Sequence, residues 1–170
     1  MSKRTVERKR MSVGVRDYRD TDSEQFIAIV RDLQEFEVAL YDRMMPAEEI
    51  GDWYASALQA RCKEEDGALL VAEKDGKLVG YATIFTNVEQ RGEIDEVVFT
   101  YGEISHIAVS PESRGSGAGK LLMEECERRA RSAGRKWLRL NVLANNVSAR
   151  SIYEHLGFRD HLITMEKQLD

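Results

Sequence analysis

Cysteine and proline are both scarce: 2 of each among 170 residues. Two thiols, Cys62 and Cys126, cannot frame a disulfide-stapled fold, and neither belongs to a Cys-x-x-Cys or Cys/His spacing that would hold zinc. They read as reduced thiols, and no metal is implied. A basic excess is also missing. The formal charge is -5 and the pI about 5.4, which argues against nucleic acid as a partner, because binding to phosphate backbones is driven by clustered Lys and Arg. No apolar run approaches the ~20 residues that span a bilayer, and no signal-peptide-like apolar stretch follows the basic start. The expected setting is therefore the cytoplasm, away from membrane. Internal repeats and low-complexity segments are absent too.

What is present suffices for one substantial core, with 42% hydrophobic and 32% charged residues. Residues 1–11 stand apart: Lys3, Arg4, Arg8, Lys9 and Arg10 face only Glu7, with no apolar periodicity. They read as a disordered basic tail, with a tether to an acidic partner as the alternative, and residues 12–170 read as one folded domain.

Within that domain, 13–18 reads as a strand, and Thr21 or Asp22 is placed to cap a helix carrying Phe26, Ile27, Val30, Leu33 and Phe36. A second helix follows Pro46. Asp75-Gly76 is a two-residue hairpin signal between strands at 68–73 and 78–85. A long strand is expected over 97–109, interrupted near Tyr101-Gly102, and Pro111 stops it. An apolar-striped helix over 118–133, a strand over 137–143, a helix capped by Asn145 or Asn146 and closed at Gly157, and a final strand over 162–169 complete the reading. This order implies an α+β or three-layer α/β/α architecture.

The chemistry concentrates at residues 114–119, Arg-Gly-Ser-Gly-Ala-Gly, between an apolar strand and an apolar-striped helix. A diphosphate needs several backbone N–H groups aimed at one point, and a helix N-terminus behind bare glycines supplies them together with a favourable dipole. The dinucleotide fingerprint would need Gly at Lys120, and the P-loop would need Gly at Arg114 and Ser or Thr at Leu121, so neither applies. A merely flexible turn is the bland alternative.

Arg114-x-x-Gly117-x-Gly119 resembles the acyl-CoA-binding motif, Gln/Arg-x-x-Gly-x-Gly/Ala, of the GNAT superfamily of N-acetyltransferases. Ile107-Ala108-Val109-Ser110-Pro111-Glu112 looks like that family's preceding strand, and Asn146, Ala149, Tyr153, Gly157 and Phe158 match its later Asn-x-x-Ala-x-x-x-Tyr-x-x-x-Gly-Phe pattern. The specific part of the resemblance covers 78–158. It implies a mixed, twisted sheet of about six or seven strands with about four helices. It also implies a splay between the fourth and fifth strands that admits the pantetheine arm. Acetyl-CoA would be the co-substrate.

By the same resemblance, the backbone of Ile107, Ala108 and Val109 would pair with the pantetheine amides. The N–H groups of Arg114, Gly115, Ser116, Gly117, Ala118, Gly119 and Lys120 would hold the pyrophosphate. Tyr153 is the candidate general acid, protonating the departing thiolate, with a packed core aromatic as its other reading. Asn146 is a helix cap, a ligand to the cofactor arm, or both. Glu103 and His106 are the local candidates for the base, and uninterrupted alternation would put them on opposite faces unless a bulge intervenes. Many family members carry Glu where this chain has Asn141, which leaves a water relay open.

Glu35, Glu37, Asp42, Glu48, Glu49, Glu89, Glu93, Asp95 and Glu96 form a candidate acidic rim for a cationic amine, such as a polyamine, lysine, a basic peptide or an aminoglycoside. A solvated acidic face is the alternative. Tyr41, Trp53 and Tyr54 are candidates for the pocket wall or the core. The function implied is acetyl transfer to a primary amine, on a small molecule or a protein, by direct attack. A non-catalytic acyl-CoA sensor is the second reading, and a homodimer is kept open beside the monomer.

Overall fold

The computed structural model describes residues 12–90, 92 and 94–169; the expected basic tail over 1–11 lies outside them. Strands β1 (Gly14–Asp17), β2 (Ala68–Lys74), β3 (Lys77–Glu89), β4 (Thr100–Val109) and β5 (Leu138–Leu140) form one sheet in the order β1-β2-β3-β4-β5. The first four pair antiparallel and β4 pairs with β5 parallel. Helices α1 (Ser23–Val38) and α2 (Trp53–Glu64) lie between β1 and β2 in sequence, α3 (Ala118–Ser132) links β4 to β5, and α4 (Val147–His155) follows β5.

Alternation along β2 and β3 divides the apolar residues between two faces. On one face Val71, Tyr81 and Phe85 meet Phe26, Ile27 and Val30 of α1 and Leu58 and Cys62 of α2. On the other, Leu70, Ala72, Ala82 and Ile84 meet Ala118, Leu122, Met123 and Cys126 of α3. Both faces of the sheet are therefore dry, which is why β3 reads as an almost unbroken buried run. The result is the expected three-layer arrangement. Burying one such Phe or Leu side chain contributes about 1.5–3 kcal/mol.

Local chemistry follows the sequence. Asp75 (φ 55°) and Gly76 (φ 75°) both occupy the left-handed region, the geometry of a tight two-residue hairpin between β2 and β3. Arg16 of β1 donates to the carboxylates of both Asp22 and Glu73 at 2.7 Å, stitching β1 to the start of α1 and to β2. That guanidinium holds the Asp22 carboxyl below the ordinary range.

Five expectations are corrected. β4 begins at Thr100 rather than 97, because Val97 and Val98 are exposed. Its interruption is not at Tyr101-Gly102 alone, since the register with β3 also slips between the pairs Thr83↔His106 and Ile84↔Ile104, leaving Ser105 as the extra residue of a β-bulge. The strand expected over 162–169 does not form: Leu162, Ile163, Met165 and Leu169 are exposed, and no ladder pairs the segment. Alternation alone does not make a strand, because its N–H and C=O groups need an adjacent edge. β5, 3 residues long rather than the expected 137–143, gives little edge to continue from. The sheet thus has five strands among the described residues, against the six or seven expected. Among the same residues no helix is long and apolar enough to cross a membrane.

Candidate active site

The glycine turn joins β4 to α3, the helix that covers one face of the sheet. β4 ends at Val109; the Ser110 N–H just beyond it donates to the Val79 carbonyl at 2.9 Å, and a short turn of 3-10 helix (Pro111–Ser113) leads to Arg114. Gly115 (φ 76°) and Gly117 (φ 89°) then take left-handed conformations that L side chains rarely adopt. A Cβ at either would meet nothing within 4 Å, so neither glycine is there to admit another part of this chain. Both leave open space over the start of α3. Ser116 Oγ reaches only the Ala118 N–H, at 3.4 Å, and the Leu121 N–H is the first to close a helical bond, onto Gly117. The N–H groups of Gly119 and Lys120 therefore point out of the helix end without intrahelical acceptors. Such an end suits an anion.

The other end of the site is a gap in the sheet. β4 and β5 pair only at Gly102↔Leu138, Glu103↔Arg139 and Ile104↔Leu140. Beyond Ile104 the β5-facing edge of β4, carrying Ile107, Ala108 and Val109, has no strand against it. At the fork lies a cavity of about 60 Å³ lined by Leu33 and Glu37 of α1, Ile104 to Ile107 of β4, Leu140 of β5 and Asn141 just after it, and Tyr153 of α4. The expected splay is present.

Tyr153 is set by its helix. Asn146 accepts the Ala149 N–H at 3.2 Å and caps α4, and the Tyr153 ring meets Phe158 edge-on at 6.1 Å. Burial raises the phenol above its ordinary pKa, and the Glu37 carboxylate adds to that. Asn146 thus takes the capping role, and Tyr153 both packs and lines the cavity.

The two candidates for the base fare differently. The bulge at Ser105 brings Glu103 and His106 to the same face, opposite Phe85 and Thr83, resolving the alternation conflict. Glu103, however, is ion-paired to Arg61 of α2 at 3.3 Å and lines no part of the cavity; the same guanidinium stacks over Phe85, 4.1 Å from its ring centre. His106 does line the cavity. Its ring lies 5.9 Å from that of Tyr54, its Nδ1 is buried without a partner, and burial, then Arg61, depresses its pKa to about 4.

Of the proposed acidic rim, Glu93 lies outside the described residues, and among the described ones Glu37 alone lines the cavity. Burial pushes its carboxyl above the ordinary range. Its position was readable: Val30, Leu33 and Glu37 stand at helical spacing, so Glu37 continues the core-facing stripe of α1. A charged residue on an apolar stripe is a sharper signal than its membership of an acidic set. Tyr54 belongs to the core, 6.3 Å from Phe26, whereas Trp53 is 50% exposed and donates its indole N–H to the Glu49 carbonyl.

A model of the acetyltransferase (GNAT) family matches residues 26–158. The chain belongs to the GNAT family. Two relatives carry acetyltransferase names. A mycothiol acetyltransferase of Nocardiopsis dassonvillei is 34% identical over 111 residues, 65% of this chain and 30% of that protein. An uncharacterized N-acetyltransferase of Methanocaldococcus jannaschii is 35% identical over 108 residues, 64% of this chain and 45% of that protein. The match to this GNAT chain thus spans less than half of either relative. Among solved structures, a mutant of the BH1408 protein of Bacillus halodurans superposes with a TM-score of 0.81 at 24% identity, covering 92% of this chain and 99% of that one, and shares the fold.

Proposed function

We propose that this GNAT enzyme transfers the acetyl group of acetyl-CoA to the nitrogen of a primary amine. The observation that carries the reading is a continuous track: helix-end amides at Gly119 and Lys120 without helical acceptors, behind the open turn at Gly115 and Gly117, then the unpaired edge of β4, then a cavity lined by Tyr153. A donor with a diphosphate at one end, an amide-bearing arm in the middle and a thioester at the tip matches that track in order. The pyrophosphate sits on the amides, where the α3 dipole favours negative charge. The arm's amides complete the β4 edge at Ile107, Ala108 and Val109, and the thioester lies at the bulge.

The amine nitrogen attacks the thioester carbonyl carbon, and a backbone N–H of the splayed strand holds the developing oxyanion. The C–S bond then breaks, and the phenol of Tyr153 gives its proton to the thiolate. The resulting phenolate takes the surplus proton of the new amide nitrogen, so Tyr153 ends as it began. Glu103 has no proton to move in this scheme; it holds Arg61. A cytoplasmic setting suits the reading, as does a small cationic or peptidyl amine drawn by the acidic residues near α1.

The test follows thiol release from acetyl-CoA against lysine peptides, polyamines and aminoglycosides. Cys62 and Cys126 are buried and their thiols pushed up to about 11 and about 12, so the protein contributes little background. Turnover with at least one amine, one thiol per acetylated product, is expected. Binding of acetyl-CoA without consumption by any acceptor would replace the reading with that of a sensor.

A further inference from the structure

Resting on that reading, we propose that Glu37 is the catalytic base, taking a proton from the ammonium of the incoming acceptor within the cavity at the β4–β5 fork. A primary alkylamine is protonated near neutrality, with a pKa of about 10, and a protonated nitrogen has no lone pair with which to attack. The base must therefore face the thioester site. The polar groups that line the cavity are Ser105, His106, Asn141, Tyr153 and Glu37. Only the last is a carboxyl group.

Its surroundings suit a base rather than a structural carboxylate. Among the described residues Glu37 has neither an ion pair nor a side-chain hydrogen bond, whereas Glu103 is tied to Arg61 and Glu125 to Arg128 and Arg129. The groups facing it from the packed elements are Tyr54 of α2, Tyr81 of β3, His106 of β4 and Tyr153 of α4. All four are neutral near pH 7, so no cation competes with the substrate ammonium. Half-burial lifts the carboxyl above the usual carboxylate range, which makes it a better proton acceptor. His106, depressed to about 4, holds a proton too weakly for the task.

The step balances with the transfer already described. The ammonium loses one proton to the Glu37 carboxylate, and the freed amine attacks. One proton passes from nitrogen to sulfur through Tyr153, and Glu37 later releases the other to water. Overall, ammonium and acetyl-CoA give amide, free thiol and one proton.

Glu37→Gln keeps the shape and removes the acceptor oxygen's basicity. With the best amine of the panel, kcat at pH 7 should fall by about 10²-fold or more, with the KM for acetyl-CoA unchanged. The deficit should shrink as the pH approaches the amine's own pKa, because solvent then supplies the free amine. Glu37→Asp, retaining the carboxylate one methylene back, should recover part of the rate, and it serves as the test if the Gln variant does not fold. A kcat within about twofold of wild type, a loss confined to the amine KM, or an equal deficit at every pH would each overturn the assignment. A wild-type enzyme inactive on every amine would sink the transferase reading along with it; an active wild type with an unaffected Glu37→Gln would sink the base alone.

Discussion

The β2–β3–β4 part of the sheet and the segment after α3 are built to different standards. In the first, Phe26, Leu70, Val71, Tyr81, Ile84, Phe85 and Leu122 are 0% exposed, packed between α1 and α2 on one face and α3 on the other. From residue 131 to residue 169, no residue is buried, and Trp137, Val147 and Ile152 are all exposed. Yet the candidate acid stands in this lighter region, on a helix held by the Asn146 cap, the Phe158 contact and the Arg150–Asp160 ion pair at 3.1 Å. The candidate donor grip belongs to the rigid region and the candidate proton donor to the looser one. A thioester bound along β4 has room to enter and leave when the far wall of the fork is the element with least packing behind it.

This contrast makes stability and activity separable. The largest effect is expected from Tyr153→Phe, which keeps the ring and removes the proton: kcat should fall about 10²- to 10⁴-fold while the melting temperature barely moves, as read by thiol release and thermal denaturation. An equal loss of both would mean that Tyr153 is mainly a packing residue. Phe26→Ala should do the reverse, costing about 3–5 kcal/mol in a denaturant titration, because the cavity it leaves is enclosed on the α1 side. If the cost were below about 1 kcal/mol, the rigid side of the comparison would be misjudged.

A smaller effect probes the boundary between the two regions. His106 is half-buried with its Nδ1 shut away from solvent and is held neutral, its pKa lowered from 6.5 to about 4. Between those values the unfolded chain binds a proton that the folded one refuses, so stability falls as the pH drops through that window, by at most roughly 3 kcal/mol. Denaturation of wild type and His106→Asn at pH 7 and pH 4.5 measures it: the variant should lose less stability on acidification. Identical losses would mean that the imidazole is solvated.

The rigid region was also the more legible. Asp75-Gly76 announced its hairpin, the stripe of α1 announced its core, and Gly115 and Gly117 announced a turn whose positive φ values demand them. Each signal is local, set by a residue's own backbone or by helical period. What escaped the sequence is set by neighbours. The bulge at Ser105 arises from pairing with β3, and no Gly or Pro between Glu103 and Val109 marks it. The alternation over 162–169 is real, but pairing is decided by an edge the sequence does not show. Glu37 was visible as one acid among nine; only the fork reveals that it lines the cavity with Tyr153.

The central claim is that the amides ahead of α3, uncovered by Gly115 and Gly117, grip the diphosphate of acetyl-CoA. Calorimetric titration of CoA into wild type and Gly117→Glu tests it most directly. The account predicts saturable heat for wild type, and for the variant a Kd raised at least tenfold in a protein that still melts cooperatively, since a carboxylate would occupy the space held open for the phosphates. No heat with well-folded wild type, or equal affinity in the two proteins, would contradict it.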